Sequence, residues 1–268
     1  AIDEAEAGDT IVVADGVFAE VVNLNKAVSL LGANAGVPVG GPGRGAESSL
    51  DGGINVSADG AVIDGLTVLN GATMSGEKAG VYVQAGNVSV SNVDFLRSGG
   101  FDGYRGVVTA GGDGEGLSIQ GSYFSGWATG VYLNPGSDAS VTNNTFDGNN
   151  VGMSNDGPDT SDISGNTFNN STVEHIGVGA FNDPTDASAF IGANTFDGSA
   201  EPVTLFALAG DGQQVTGTDE NDTFVDIGGD DDVFNGGAGD DTLNGGDGAD
   251  LLDGGAGADA VNGGAGDD

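Results

Sequence analysis

Short stretches in which apolar and polar residues alternate follow one another along most of the chain, separated by Gly, Asn and Asp. One family of stretches ends each time at an apolar, mostly aromatic position, namely Val68, Phe95, Phe124, Phe146, Phe168 and Phe196. A second family lies between them and starts each time with a glycine and an apolar residue, at Gly80, Gly106, Gly130, Gly152 and Gly177. Alternation at period two predicts short β-strands, because an amphipathic helix repeats its apolar residues at i, i+3 and i+4.

Both families repeat at a variable interval of 22 to 29 residues. One such unit is too short to bury its own apolar face, whereas stacked units form a continuous core. The repeat therefore predicts an all-β solenoid of parallel strands in which like residues lie above like. Three columns are expected, namely Phe124, Phe146, Phe168 and Phe196 inside, Asn144, Asn166 and Asn194 at a bend, and Val81, Val107, Val131, Met153 and Val178 inside. A β-sandwich is the alternative, but its strands would not repeat one tetrapeptide at matching positions.

The first part of the chain carries a family resemblance. Residues 1–9 are interpreted as the end of a capping helix, residues 10–34 as the first strands, and residues 35–53 as a Gly/Pro-rich loop carrying Arg44. The strings GDTIVVADGVFAE and VSLLGAN resemble the right-handed parallel β-helix superfamily, which includes pectate lyases, alginate epimerases and many large bacterial surface proteins. The resemblance covers residues 1–208 and implies that fold.

The pattern changes at Gly217 to a nonapeptide of the form G-G-x-G-x-D-x-U-x, in which U is apolar. The sixth positions are Asp222, Asp232, Asp241, Asp250, Asp259 and Asp268. The glycines of the strict repeats include Gly237, Gly239, Gly246, Gly248, Gly255 and Gly257. Calcium prefers six to eight oxygen ligands, which one aspartate per turn and the carbonyls of glycine turns can supply. These aspartates and glycines are therefore the predicted metal ligands.

Successive nonapeptides are expected on opposite sides of a small roll, so that turns two units apart stack and share an ion. This stacking pairs Asp232 with Asp250, Asp241 with Asp259, and Asp250 with Asp268. The block resembles the repeats-in-toxin (RTX) calcium-binding domain, which implies several Ca²⁺ ions and type I export guided by an uncleaved C-terminal signal. Without calcium, a disordered acidic linker is the alternative, because clustered carboxylates repel. The predicted organisation is a β-helix at 1–208, a linker at 209–216 and a truncated calcium roll at 217–268.

Composition limits the partners. Five Lys and Arg against 41 Asp and Glu give a net charge of −36, which repels phosphate backbones and anionic lipid, so nucleic acid and membrane surfaces are poor partners for this chain. The acidity also suits a solvated surface in salty surroundings. No apolar run is long enough to insert into a membrane. The chain begins in what reads as a helix and stops within a repeat, so we expect it to be a fragment of a longer secreted protein whose export signal lies beyond Asp268.

An outward-facing strip on the second family offers candidate ligand-binding residues, Tyr82, Gln84, Tyr132, Asn134, Ser154 and Asp156. Polysaccharide-cleaving β-helices work on such a face and need a cation for the uronate, a base and an acid. Arg105 or calcium, His175 and Tyr132 are the respective candidates, with Tyr104, Glu174 and Asp183 beside them. The characteristic Asp-Pro-His-Glu stretch of alginate epimerases is missing, and no Lys or Arg follows Arg105.

Two functions from different classes remain. The first is a calcium-binding structural or adhesive module of a large cell-surface, matrix or layer protein, with glycans or further copies of itself as partners. The second is a polysaccharide lyase or epimerase acting on uronate polymers. The lack of a convincing catalytic cluster favours the structural role, whereas the order of the two domains is shared with the epimerases.

Overall fold

The computed structural model describes residues 1–111, 114–158, 162–180, 191–196, 203–208 and 212–268. Nearly all of its regular structure consists of short strands, which are numbered in chain order. Only parallel pairing joins successive coils, and three long sheets run side by side along the axis. This is a right-handed parallel β-helix followed by a β-roll, as the sequence predicts.

Sheets 1 and 2 each receive one short strand from every coil, stacked in order along the axis. Sheet 1 contains β1 (Thr10–Val12), β4 (Ser29–Leu31), β7 (Val62–Asp64), β11 (Ser89–Ser91), β14 (Leu117–Gln120), β17 (Ala139–Thr142) and β20 (Asp162–Ser164). Sheet 2 contains β2 (Gly16–Phe18), β5 (Ser48–Gly52), β8 (Thr67–Asn70), β12 (Asp94–Leu96), β15 (Tyr123–Ser125), β18 (Thr145–Asp147), β21 (Thr167–Asn169) and β23 (Thr195–Phe196).

Sheet 3 is the longest and extends into the roll. It contains β3 (Val22–Leu24), β6 (Ile54–Val56), β10 (Glu77–Val83), β13 (Arg105–Thr109), β16 (Thr129–Leu133), β19 (Val151–Pro158), β22 (Glu174–Ala180), β24 (Val203–Leu208), β26 (Thr223–Asp226), β28 (Thr242–Asn244) and β30 (Ala260–Asn262). The short strand β9 (Ala72–Met74) pairs antiparallel with β10. Sheet 4 contains β25 (Gln214–Thr216), β27 (Val233–Asn235) and β29 (Leu251–Asp253).

The predicted aromatic ladder is present on the inner face of sheet 2. The rings of Phe95, Phe124, Phe146, Phe168 and Phe196 stack face to face, with successive centroids 4.5, 4.9, 4.8 and 5.3 Å apart. The stacking follows from the parallel register, which places each phenylalanine directly above the next. The first four rings are fully buried, so this column forms a large part of the hydrophobic core.

The glycines of the second family leave the space that this ladder occupies. A Cβ on Gly106 would lie 2.7 Å from the ring of Phe124, and a Cβ on Gly80 would lie 3.2 Å from the ring of Phe95. Each glycine therefore permits close packing between sheet 3 and the ladder on sheet 2. The two sequence families repeat at the same interval because each such glycine of one family packs against a phenylalanine of the other.

The predicted asparagine ladder lies at the bend that precedes sheet 2. The side-chain Oδ1 of Asn166 accepts hydrogen bonds from the backbone N–H and the Nδ2 of Asn144, at 2.9 and 3.1 Å. Asn194 accepts the same two bonds from Asn166, both at 3.0 Å. Each Nδ2 also donates to a backbone carbonyl, as Asn166 does to Val141 at 2.8 Å. The ladder thus satisfies backbone groups that the bend would otherwise leave buried and unpaired.

The inner column of sheet 3 departs from the prediction at its last member. Val81, Val107, Val131 and Met153 are in register, but the residue paired with Met153 is Ile176. Val178 pairs with Asn155 instead, so its predicted position was wrong by two residues. The Gly-Val dipeptide at 177–178 misled the alignment, since the coil gains one residue before β22 and Ile176 fills the apolar place.

Two N-terminal expectations also need correction. The predicted capping helix is only a 3₁₀ turn, Ile2–Glu4, whose carbonyls bind the ammonium group of Lys26. The predicted loop ends earlier than residue 53, because β5 begins at Ser48 and pairs with β2 and β8.

The roll consists of sheet 4 and the last strands of sheet 3. Phe224 pairs with Leu243 on one side, and Phe234 pairs with Leu252 on the other, so alternate repeats lie on opposite faces. The rings of Phe224 and Phe234 meet across the interior with centroids 6.0 Å apart. Sheet 3 passes from β24 to β26 without interruption. Residues 214–216 of the predicted linker form β25, the first strand of sheet 4.

Candidate calcium centre

Two columns of aspartates run along the roll. They are the sixth residues of alternate repeats, namely Asp222, Asp241 and Asp259 on one side and Asp232, Asp250 and Asp268 on the other. Within a column, each backbone N–H donates to Oδ1 of the next aspartate, at distances of 2.7 to 3.2 Å. The aspartates that the spacing pairs are therefore adjacent in the structure.

The second carboxylate oxygen of three of these residues is buried without a hydrogen-bond partner. It belongs to Asp232, Asp241 and Asp250, which are 1%, 1% and 5% exposed. Asp222 differs because the backbone amide of Thr218 donates to its Oδ2 at 2.6 Å. A buried, charged carboxylate oxygen without a donor is strongly unfavourable, so these three oxygens favour either a bound cation or a proton.

The repeat glycines shape the space around these carboxylates. Oδ2 of Asp241 lies where a Cβ on Gly236 would stand, and Oδ2 of Asp250 has the same relation to Gly245. The first glycine of each repeat is therefore required because the aspartate of the same repeat folds back over it. The fourth glycine is also constrained, since a Cβ on Gly257 would overlap the carbonyl oxygen of Gly239. These close approaches bring backbone carbonyls near the carboxylates.

The predicted ligand glycines all have positive φ, with values of 106° for Gly237, 115° for Gly239, 88° for Gly246, 151° for Gly248, 88° for Gly255 and 158° for Gly257. Backbone bonds then stack the turns, as in the 2.9 Å bond from the N–H of Ala256 to the carbonyl of Gly237.

The folded roll raises the pKa of three of the column carboxylates, those of Asp222, Asp232 and Asp241. Burial raises the pKa of both Asp222 and Asp232 to about 6, although backbone hydrogen bonds oppose the shift. Burial also raises the pKa of Asp241, and the neighbouring charge of Asp259 adds to the effect. Near neutral pH these groups are charged at a cost to folding, which a bound cation would remove.

The donor set fits calcium. Among the described residues, no three His, Cys, Asp or Glu side chains converge on a point suited to a metal ion. An ion between two turns would thus take one or two carboxylates, such as those of Asp241 and Asp259, and backbone carbonyls for the remaining ligands. A shell made only of oxygens suits a hard cation that tolerates many ligands and irregular geometry, which describes Ca²⁺.

The outward strip on sheet 3 is only partly the surface that the sequence suggests. Tyr82 is 9% exposed and packs with Met74, Ala79 and Val108, because the hairpin of β9 and β10 lies over it. The expectation of an exposed tyrosine at position 82 was therefore wrong. The hairpin of β9 and β10 belongs to neither repeat family. The alternation of apolar and polar residues therefore does not predict that Tyr82 is buried.

Arg105 and Tyr132 do come together on that strip. The guanidinium carbon of Arg105 lies 4.2 Å from the centroid of the Tyr132 ring, and Arg105 Nη1 makes a 2.7 Å ion pair with Glu77. The hydroxyl of Tyr132 donates to Asp156, and this bond raises the pKa of Tyr132, with burial adding to the shift. Both candidates are thus engaged in interactions within the protein.

The remaining candidates are placed as follows. Asp156 also accepts a 2.9 Å bond from Ser154, and the side chain of Asn134 binds the backbone of Thr109. Gln84 is partly exposed at the end of β10, where its N–H donates to Val56 at 2.8 Å. His175 and Glu174 lie in β22, but their side chains are outside the described part of the structure, as is all of Asp183.

Sequence reasoning missed two buried residues at the start of the roll. Gln213 precedes β25, is fully buried, and its N–H donates to Oδ1 of Asp232 at 2.6 Å. Asp226 ends β26 and is 3% exposed. Neither residue belongs to a strict repeat. The one signal in the sequence was the length of the first repeat, which has ten residues where the later repeats have nine.

Comparison with known proteins agrees with the two regions. The family model described as "Right handed beta helix region" matches residues 52–225. The model described as "RTX calcium-binding nonapeptide repeat (4 copies)" matches residues 214–243, 226–261 and 235–268. No curated protein and no solved structure matches the chain. The described residues include no helix of the length and apolarity needed to cross a bilayer.

Proposed function

Because the chain belongs to the right-handed beta helix family and carries RTX calcium-binding nonapeptide repeats, we propose that it is a secreted structural module whose roll is ordered by calcium. In this role the β-helix serves as a stiff spacer within a large cell-surface, matrix or layer protein. RTX repeats are typical of secreted proteins, and the medium outside the cell supplies the calcium that the roll needs.

The observation that carries the proposal is the set of buried, unpartnered Oδ2 atoms on Asp232, Asp241 and Asp250. Each lies in a column whose aspartates are joined by backbone hydrogen bonds, so the oxygens recur at regular steps. Such an array is unfavourable without cations and favourable with them, which makes folding of the roll depend on calcium.

The outer face of sheet 3 gives less support to a lyase or epimerase. Arg105 is neutralised by Glu77 at 2.7 Å and stacked on Tyr132, so its charge is not free to bind a uronate. The raised pKa of Tyr132 and its bond to Asp156 leave it a weak acid. For these reasons the structural role is preferred over the catalytic one.

A calcium titration of the whole chain tests the proposal. Circular dichroism should show a gain of β signal as calcium is added, and EGTA should reverse it. Light scattering in the same samples tests self-association, since growth in particle size supports assembly into a surface layer. If calcium orders the roll while the protein stays monomeric, the assembly part of the proposal is lost. If calcium changes nothing, the proposal fails as a whole.

A further inference from the structure

The first repeat of the roll contains one extra residue. Asp222 and Asp232 are ten residues apart, whereas later sixth-position aspartates follow at intervals of nine. The extra residue is Asp226, which makes β26 four residues long while β28 and β30 have three. It is outside the nonapeptide pattern, so the pattern assigns it no role in binding calcium.

The side chain of Asp226 is nevertheless turned into the roll. The residue is 3% exposed, and both carboxylate oxygens are buried without a hydrogen-bond partner. The amides of Ile227 and Gly228 face the carboxylate, but neither makes a well-directed hydrogen bond to it. On the opposite side, Oδ2 of Asp226 lies where a Cβ on Gly246 would stand, so the carboxylate is held against the turn of a later repeat.

Other carboxylates lie close to this one. Asp230 and Asp250 act on Asp226 through their charges, and Asp226 and Asp250 act in the same way on Asp232. The Oδ2 atoms of Asp232 and Asp250 are themselves buried and unpartnered. The carboxylates of Asp226, Asp230, Asp232 and Asp250 therefore influence one another electrostatically at the seam between the solenoid and the roll, and the described side chains around them supply no positive charge.

We propose that Asp226 is a ligand of a further calcium site at this seam, formed together with Asp232 and backbone carbonyls of the adjoining turn. The proposal rests on the proposed function, because it assigns one more ligand set to the same calcium-ordered roll. The carboxylate of Asp226 adds charge to the site, and ligand charge is one of the factors that set calcium affinity. The seam site then joins the roll to the last coil of the solenoid.

Without a cation, the same carboxylate would only destabilise the fold. A buried aspartate lacking donors is tolerated by taking up a proton or by meeting a counter-charge. These two cases differ in how the protein responds to Asp226→Asn, which keeps the shape of the side chain and removes the charge. If Asp226 is a ligand, the substitution destabilises the calcium-bound protein. If the carboxylate is instead held in the roll as a neutral, protonated group, the substitution leaves the stability of the calcium-bound protein unchanged or raises it.

The experiment compares wild-type protein, Asp226→Asn and the control Asp219→Asn, all as the full chain. Asp219 is an exposed carboxylate of the same repeat. Calorimetric titration with CaCl₂ measures the number of ions and their affinity, and thermal unfolding is followed in CaCl₂ and in EGTA. We expect Asp226→Asn to bind one ion fewer, or to bind that ion at least roughly 10-fold more weakly, since the loss of even an outer-shell partner of a metal commonly costs about 10- to 100-fold in affinity. Asp219→Asn should match the wild type.

The sign of the thermal shift provides a second readout. For Asp226→Asn, we expect a lower melting temperature than wild type in CaCl₂ and no difference in EGTA, in which the roll is unfolded in both proteins. Equal stoichiometry and affinity in the variant and the wild type, or a melting temperature in CaCl₂ that is not lowered, would overturn the seam site while leaving the calcium roll intact. A wild-type protein that binds no calcium would instead overturn the proposed function itself.

Discussion

Gly130 lies under the ring of Phe146, so close that a Cβ on residue 130 would stand 2.7 Å from Cδ1 of that ring. Gly130 lies in β16 of sheet 3, and Phe146 is the middle residue of β18, the next strand of sheet 2 along the chain. The contact therefore joins two sheets through the core. The same relation links Gly106 to Phe124, so the contact recurs from coil to coil.

Replacing Gly130 by alanine should destabilise the solenoid. The added methyl group must displace a stacked ring, which has little room because it is held between Phe124 and Phe168. We expect Gly130→Ala to lower the free energy of unfolding by about 1–3 kcal/mol, as overpacked core substitutions do. Urea denaturation measures the change. Gly111→Ala is the control, because its Cβ would meet open space, and an equal loss in both variants would contradict the packing account.

The asparagine ladder predicts that losing a buried hydrogen-bonding side chain also lowers the stability of the solenoid. Asn166→Ala leaves the N–H of Asn144 and the carbonyl of Val141 without their partners inside the protein. Each buried group left unpaired costs about 1–3 kcal/mol, so the loss of stability should exceed that of an ordinary surface change. The exposed Asn23→Ala serves as the comparison in the same denaturation assay. If the two variants have equal free energies of unfolding, the hydrogen bonds of the ladder do not contribute to the stability of the protein.

Asp94 should make stability depend on pH. Burial raises its pKa to about 6, against the opposing effect of Arg44, and its Oδ1 has no partner. Because the folded protein holds this proton more tightly than the unfolded chain, the stabilising contribution is complete below about pH 4 and is lost as the pH rises through 6. Asp94→Asn should therefore raise the melting temperature at pH 7 relative to wild type and change it little at pH 4.

The exposed Asp138→Asn provides the control for that comparison. It removes the same charge from the total and leaves the buried site intact, so its effect should be small at both values of pH. A gain in melting temperature at pH 7 that is equal for both variants would point to the reduced net charge instead of to Asp94.

The regular calcium sites can be tested with Asp241. Asp241→Asn keeps an oxygen to accept the 2.7 Å bond from the N–H of Asp222 and removes the buried charge on Oδ2. We expect ordering of the roll, followed by circular dichroism, to need roughly 10- to 100-fold more calcium. The exposed Asp267→Asn should follow the wild-type curve, and a similar curve for Asp241→Asn would exclude it as a ligand.

Most of the fold was predictable because a parallel solenoid stacks identical positions. A residue type that repeats at matching places, such as Phe146 and Phe168 or Asn144 and Asn166, must lie in one column if the coils stack at all. The aspartate pairs of the roll were predictable for the same reason. The spacing of the repeat sets the register, and the register sets the contacts.

The errors arose where the chain leaves its repeat. Val178 was misplaced because an extra residue before β22 shifts the register, and Tyr82 was misjudged because a non-repeating hairpin covers it. Asp226 was overlooked because it is an inserted residue. No equivalent position recurs in the other repeats, so a search for repeated residues does not find it. Local insertions change contacts that depend on the surrounding coils, which a periodic pattern does not describe.

The uninterrupted course of sheet 3 gives the molecule a defined length. Ten steps of about 4.8 Å between β3 and β30 correspond to about 48 Å along the axis. The last steps cross the roll, so without calcium the distal part of this length would fluctuate as a flexible acidic chain. If calcium orders the roll as proposed, the calcium concentration sets whether the two ends of this span are held at a constant separation.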